Sequence, residues 1–578
     1  MTNQTEKPVQ LPVNPWSLLC GLVVCTAILL LGVDIWFRNE AGAHLMWFRN
    51  HPGFWQVLNY PGMIAHYRPV AFLMLSVVYH LFGPNALPFV ITNFIGFLLT
   101  MVWFYLLIRH ESGDTVAYIS VVALLPFFNH VLYHPFNALH GIFYSWDVGW
   151  FCLALYLFIR GMEAPHHRVK YLAWAAVVSL IALGTHAFSG LTLAVVILIY
   201  LCYHTQFLKK SPWITALGIV IPLTLVAIIP LLEPFGGEML KTGPPFITRI
   251  IDRSVLVARI MFVSYTAPFL VGGTVYLVKH FISKKRPVSP LWAIASGVVA
   301  YGLIMLIPAT MAQIFLLFLV IILLAIIVLK IPEYRIFALM GLLGIVHYFL
   351  VRGESSNYLR FLVFGITPIM VFGLIKAGEG LLLSVKLPIP TNKSQSKWVV
   401  ALTVLALVGI GLGLLDVPGF RSPVRKIRYL VYLSQTFHHT IFDGTKQIPP
   451  NATGYYYAGR SREEEIATMY TRAHLFNLQP AKSYEYQHYF ALVNRQDIKF
   501  KYIESGVTLS PGETIYIFAF NIFEILWTQT KFPTAQMIYH IQKGRAEAAI
   551  YSLSAPEHSS LNLLEPSSLL PIGDLSLR

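Results

Sequence analysis

Apolar runs separated by short polar breaks fill the chain from residue 16 to residue 415. A membrane-crossing helix needs about 20 predominantly apolar residues. Runs that meet this rule, or come close, fall near 16–36, 88–108, 115–131, 142–160, 171–185, 189–204, 213–232, 256–279, 290–308, 313–330, 335–351, 359–377 and 398–415. The pattern predicts about thirteen transmembrane helices. One further run does not fit. In "HYRPVAFLMLSVVYHLFGPNALP", residues 66–88, the apolar part opens on Arg68-Pro69 and stops at Gly83-Pro84. It is too short to cross.

Basic residues decide what that run does. If 69–83 crossed the membrane, "RGMEAPHHRVK", "FLKK" and "KHFISKKR" would all lie outside, against the bias of Lys and Arg towards cytoplasmic loops. If it lies flat on the outer surface, those loops, Arg109 and the Lys376–Lys397 segment all fall inside. The second arrangement is therefore predicted: an interfacial helix within a first external loop, 37–87, with its apolar face down among the headgroups. The N-terminus is then cytoplasmic and the tail extracytoplasmic.

At "DVPGFRSPVRK" the chain becomes polar, rich in Tyr and punctuated by Pro and Gly. "SREEEIATMYTRAHLF" has helical spacing, whereas "ETIYIFAF" and "EAAIYSLS" read as strands. The predicted fold class is an all-α polytopic membrane protein over residues 1–415 with a small α/β extracytoplasmic domain over 416–578. No period of about 20–50 residues recurs.

Composition agrees with this reading. The chain of 578 residues is 56% hydrophobic and 12% charged, which excludes a soluble globular protein of this size. Its net charge of +15 comes without a basic, aromatic-interleaved face, so nucleic acid is not an expected partner. Cys20, Cys25, Cys152 and Cys202 lie inside apolar runs, so neither a disulfide framework nor a zinc site is expected. A tail free of cysteine suits a bacterial plasma membrane. The first apolar run lacks a small-residue cleavage site and stays as an anchor. "NAT" at 451–453 matches a glycosylation sequon, which matters only in a eukaryotic secretory route.

Polar residues at the outer helix ends are the candidates for chemistry. Asp34 closes the first helix in "LLLGVDIWFRNEAG", and Asp147 opens the fourth in "HPFNALHGIFYSWDVGW". An aspartate at the bilayer centre costs about 2.5–3.5 kcal/mol, less towards the interface. Two such carboxylates on one aqueous cavity would equip an acid–base site; headgroup water alone would also accommodate them. Arg68, His66, His134, His186, Arg259, Arg352 and Arg360 lie at the same level. The planar fork of Arg matches phosphate oxygens, although single juxtamembrane arginines commonly serve as snorkelling anchors. The histidines have no metal-site spacing, so a divalent cation has no motif to support it and the cofactor is left open.

These features together resemble the GT-C class of membrane glycosyltransferases, which includes protein O-mannosyltransferases and lipid A aminoarabinose transferases. In those families a "PPL" or "RPL" element opens a juxtamembrane helix that ends at "fG"; here Arg68-Pro69-Val70 and Phe82-Gly83 take those places. "HPFNALHGIFYSWDVGWFCLALYLF" resembles the second external loop, with Asp147 as its acid, and "NYLRFLVFGITPIMVF" resembles a later "RYLLPxxP" segment through Tyr358, Arg360 and Pro368. The chain departs from the pattern at three points. Asp34 has only Glu40 beside it where relatives carry paired acids; Thr185-His186-Ala187 replaces a "TKG" or "SKE"; and Leu359-Arg360-Phe361 replaces Arg-Tyr.

The resemblance implies transfer of a sugar from a polyprenyl-phosphate-linked donor to an acceptor (protein, lipid or glycan) on the outer face, usually with inversion. It implies Asp34 as general base and Asp147 as a group that orients the acceptor or a cation. Arg68 and Arg360, with His186 in support, hold the lipid phosphate, and His66, Glu40 and Tyr358 join them as substrate-binding residues. Two other classes compete: a transporter or flippase of lipid-linked sugars, and a membrane assembly protein with an exterior domain. Related halves and matched broken helices, which mark many transporters, are not visible in the sequence.

Overall fold

The computed structural model describes residues 41–59, 68–127, 141–203, 309–350, 360–384, 432, 435–456, 490, 493–502, 507–520, 522–544 and 546–563. The runs near 16–36, 213–232, 256–279, 290–308 and 398–415, the helical stretch 461–476, and Asp34, Glu40, His66, His134, Arg259, Arg352 and Tyr358 lie outside them.

The helical part comprises α1 (Ala41–Asn50), α2 (Pro69–Phe82), α3 (Ala86–Ser112), α4 (Asp114–Phe127), α5 (Gly141–Ser145), α6 (Asp147–Glu163), α7 (Arg168–Thr185), α8 (Ala187–Tyr203), α9 (Ala309–Lys330), α10 (Arg335–Leu350) and α11 (Arg360–Ser384). Each predicted span is helical over its described residues, the one near 142–160 being broken at Trp146. Among the described residues, three stretches are long and apolar enough to cross a membrane: Ala86–Ser112, Gly141–Glu163 and Pro165–Thr185. The first, at 27 residues, is about 40 Å long. Its outward stripe of Leu87, Ile91 and Ile95 is exposed, as is that of Trp174, Val177 and Leu180 on α7, the surface that a lipid solvent favours.

Polar contacts fix which helix ends lie together. At one end of the bundle His110 bonds Glu163 at 2.8 Å, Arg109 pairs with Asp114 at 2.7 Å, and the Ser112 hydroxyl donates to the Glu333 carbonyl. The opposite end carries the starts of α3, α6 and α11 and the turn between α7 and α8. Glycines set the helix spacing. Gly341 and Gly344 of α10 meet Gly365 and the Leu362 backbone of α11, a small-residue contact that lets two backbones approach without intervening side chains.

Helix α2 begins and ends at that second end of the bundle. Arg68 and Val70 sit against Phe143 and Gly184 respectively, and only Gly83, Pro84 and Asn85 separate Phe82 from the start of α3. The helix therefore lies across the bundle end rather than through it. Pro69 starts it where no intrahelical N–H is needed, and Gly83, at φ 65°, ends it. Ala71, Phe72, Leu75 and Val78 pack inward while Val77, Leu81 and Phe82 are exposed.

The tail holds a sheet of β1 (Thr453–Tyr456), β2 (Lys499–Tyr502), β4 (Thr514–Ala519), β5 (Gln536–Lys543) and β6 (Ala546–Ser554) in the order β2-β1-β4-β6-β5. The β1 strand is parallel to β2 and β4; β6 is antiparallel to β4 and β5. A separate antiparallel ladder joins β3 (Val507–Leu509) to β7 (Leu561–Leu563). Alternation splits β4 between two cores: Ile515, Ile517 and Ala519 pack with Ile525 and Phe532 on one side, the first from helix α12 (Ile522–Lys531). Tyr516 and Phe518 face the other way, into a core shared with Ile441, Ile448 and Ile550. The two predicted strands are β4 and β6.

Candidate active site

At the α2 end of the bundle, the chain folds four functional candidates into one cluster. Helix α5 stops at Ser145, and α6 starts at Asp147 after a one-residue turn. At the break the Thr100 hydroxyl donates to the Ser145 carbonyl at 2.7 Å. Trp146 turns back onto α3, its indole N–H donating to the Thr92 carbonyl at 3.2 Å over Gly96, which has no Cβ to obstruct it. These two bonds fix Asp147 in the first turn of α6, where the helix dipole favours a carboxylate.

Asp147 is fully enclosed, at 0% exposure, and both its oxygens are taken. The Ser189 hydroxyl, from the first turn of α8, donates to Oδ1. Arg360, the first residue of α11 and 4% exposed, places Nε 2.5 Å from Oδ2 and forms an ion pair with the same oxygen. A buried guanidinium needs such a partner, since an uncompensated charge here would be expelled or would unfold its surroundings.

Arg68 stands beside this pair, half-buried, with its guanidinium carbon 4.7 Å from the Phe143 ring centre and 5.9 Å from that of Tyr144. Arg360 lies 5.0 Å from the same Tyr144 centre. Two cations drawn from distant segments thus share one aromatic ring, whose π electrons offset part of their mutual repulsion. Arg68 Nη2 also lies 3.4 Å from His186 Nε2, and His186 itself is 2% exposed in the single extended residue that separates α7 from α8.

Of the sequence candidates, Asp147, Arg68, His186 and Arg360 come together; Asp34, Glu40, His66 and Tyr358 are outside the described residues. Ser189 and Tyr144 were not singled out from sequence. A serine two residues into an apolar run, and a tyrosine in an aromatic-rich loop, carry no signal until their neighbours are known. Among the described residues, no group of three His, Cys, Asp or Glu side chains is placed to hold a metal ion.

The arrangement can present positive charge to an anion at this end of the bundle chiefly through the half-buried Arg68, because the charge of the buried Arg360 is balanced by Asp147. Searches by sequence find no matching family profile and no matching curated protein. Among solved structures, the chain is similar to ArnT from Cupriavidus metallidurans bound to undecaprenyl phosphate, at 12% identity and a TM-score of 0.38, over 93% of this chain and 98% of that one. It is also similar to the Archaeoglobus fulgidus oligosaccharyltransferase in complex with Zn and sulfate, at 13% identity and a TM-score of 0.36, over 94% of this chain and 74% of that one. Likeness at this level decides neither fold nor activity.

Proposed function

We propose that the chain is an integral membrane glycosyltransferase that moves a sugar from a polyprenyl-phosphate carrier to an acceptor at the extracytoplasmic face, with inversion. The observation that supports it most is the convergence of Arg68 and Arg360 on Tyr144 beneath a short helix that does not cross the bundle. A lipid phosphate needs cations for its head, and a helix that does not cross the bundle leaves this end free of a further span.

In this reading the acceptor hydroxyl attacks the anomeric carbon opposite the phosphate. The new C–O bond forms as the bond to the phosphate oxygen breaks, and the leaving electron pair stays on the phosphate. The proton passes to Asp34, a general base worth about 10²–10⁴-fold. Arg68 meets the phosphate directly. Arg360, its charge balanced by Asp147, contributes an oriented guanidinium rather than a second net charge, and Asp147 holds that group rather than touching substrate. Such preorganised charge lowers the barrier because it is in place before the phosphate develops its charge. Glu40, His66 and Tyr358 complete the substrate surface. The tail, 416–578, lies on the same, extracytoplasmic side.

The test is to incubate the purified protein in nanodiscs with a panel of polyprenyl-phosphate sugars and to measure free polyprenyl phosphate. Release by the wild type and its loss in Asp34→Asn, with folding intact, is the expected result. No release from any donor would return the reading to a transporter or an assembly protein.

A further inference from the structure

The turn between α7 and α8 brings two side chains to the site, and one of them has chemistry that its residue type conceals. Resting on the donor-phosphate reading above, we infer that His186 is a positioning residue: a neutral hydrogen-bond acceptor that aims Arg68, not a third cation for the phosphate.

A guanidinium carries N–H donors only and has no acceptor. As a hydrogen bond, the 3.4 Å contact between Arg68 Nη2 and His186 Nε2 has Nε2 bare, which places the ring proton on Nδ1 and leaves the imidazole uncharged. A protonated ring would turn Nε2 into a donor facing another donor and set two cations side by side. Burial points the same way. His186 is 2% exposed, behind the half-buried Arg68, so an incoming anion meets the arginine first.

The backbone makes the turn rigid. The His186 N–H donates to the Ala182 carbonyl at 3.0 Å, and the His186 carbonyl accepts from the Ser189 N–H at 2.9 Å. His186 and Ser189 are thereby locked to one another. Ser189 holds Asp147, which holds Arg360, while His186 holds Arg68. One turn thus sets the positions of both guanidiniums, although they come from opposite ends of the described helical segment. The ring of Tyr144 lies 6.3 Å from that of His186 and fills the space among the three.

Substitutions at His186 separate the two roles. His186→Gln keeps a neutral acceptor near Nε2, His186→Leu removes it without adding charge, and His186→Lys replaces it with a cation. The full-length protein in detergent micelles is titrated with polyprenyl phosphate, and binding is read from intrinsic tryptophan fluorescence. The expected result is near-wild-type affinity for the Gln variant and a roughly tenfold or greater loss for Leu and Lys, the scale of one hydrogen bond to a charged group. Undiminished affinity in the Lys or Leu variant, or a Gln variant as weak as Leu, would overturn the assignment. A second measurement does not depend on the ligand. With [15N]histidine-labelled protein, the difference between wild type and His186→Gln isolates the His186 ring. A bare Nε2 whose signal shifts in Arg68→Leu supports the acceptor role even if polyprenyl phosphate fails to bind; a protonated Nε2 at neutral pH refutes it.

Discussion

Arg360 crosses 213 positions of sequence to reach Asp147, with its Nε 2.5 Å from Oδ2 and almost no solvent at either group. The pair joins the start of α11 to the start of α6 and is the electrostatic centre of the site. Removing one partner strands the other charge, which costs about 3–5 kcal/mol for a buried pair. Replacing both by apolar residues of similar volume is often neutral. Thermal unfolding in micelles should therefore show Asp147→Leu and Arg360→Met each strongly destabilised and the double variant substantially recovered. Sugar transfer should stay lost in all three. Additive losses in the double variant would show that the two groups do not act as a pair.

Gly184 decides where Arg68 sits. A Cβ there would lie 2.6 Å from Val70 Cγ2 and 3.6 Å from the Pro69 ring, so α2 must start further out if the glycine is replaced. Gly184→Ala should leave the protein folded but move Arg68 away from Tyr144. KM for the lipid donor should rise several-fold, roughly the 1 kcal/mol or more of a disturbed charge contact, with a smaller change in kcat. An unchanged KM would mean that Arg68 tolerates displacement and does not bind the donor at this position.

Much of the helical framework was legible in the sequence because membrane helices announce themselves by length and apolarity. The run near 88–108 became Ala86–Ser112, and the Arg68-Pro69 and Gly83-Pro84 punctuation gave the limits of the short helix to a residue. The site was only half legible. Periodicity can put Asp147 and Arg360 at helix ends, but it cannot say that they meet, because their contact depends on how two distant helices pack. Ser189 lies in an apolar helix where a serine is unremarkable, and only the carboxylate opposite gives it a role. His186 was legible as a residue type, but its contact with Arg68, 118 positions away, was not. In the tail, β5 escaped notice because it is an edge strand with both faces largely wet, so it lacks the apolar alternation that marked β4 and β6.

The tail should respond to acid in part through Asp497; Asp443, held down by His439 and Lys446, is a second such carboxylate. Asp497 accepts from Arg495 at 3.0 Å and from the Asn451 N–H at 3.1 Å, and the Arg495 hydrogen bond holds its carboxyl below the ordinary value. A depressed carboxylate contributes stability that is present above the unfolded-state value, about 3.9, and lost as pH falls through the folded one. Because the pair is only half-buried and solvent screens it, the contribution is at most about 1 kcal/mol. Denaturant unfolding of the whole protein, followed by a probe near Asn451, should show a small loss of stability below about pH 4 that is reduced in Asp497→Asn, the remainder belonging to Asp443. An identical acid limb in the variant would assign the loss to other carboxylates.

The last prediction concerns sidedness, on which the chemistry depends. The helix ends near Ser112, Glu163 and Glu333 meet at one end of the bundle, while Pro84, Trp146, His186 and Arg360 belong to the other. Basic loops at the first end include His167-Arg168 and Lys330, and the bias of such loops towards the cytoplasm predicts that the second end faces outward. Single cysteines at His166 and Pro84, both exposed, can report this with an impermeant maleimide on intact cells. Pro84→Cys should label from outside and His166→Cys only after the membrane is opened. The reverse pattern would put Arg68 and Asp147 in the cytoplasm, where a carrier phosphate on the outer leaflet could not reach them, and would remove the proposed reaction. Labelling of both from one side would instead mean that the helices between them, α3, α4 and the α5–α6 stretch, cross the membrane an even number of times.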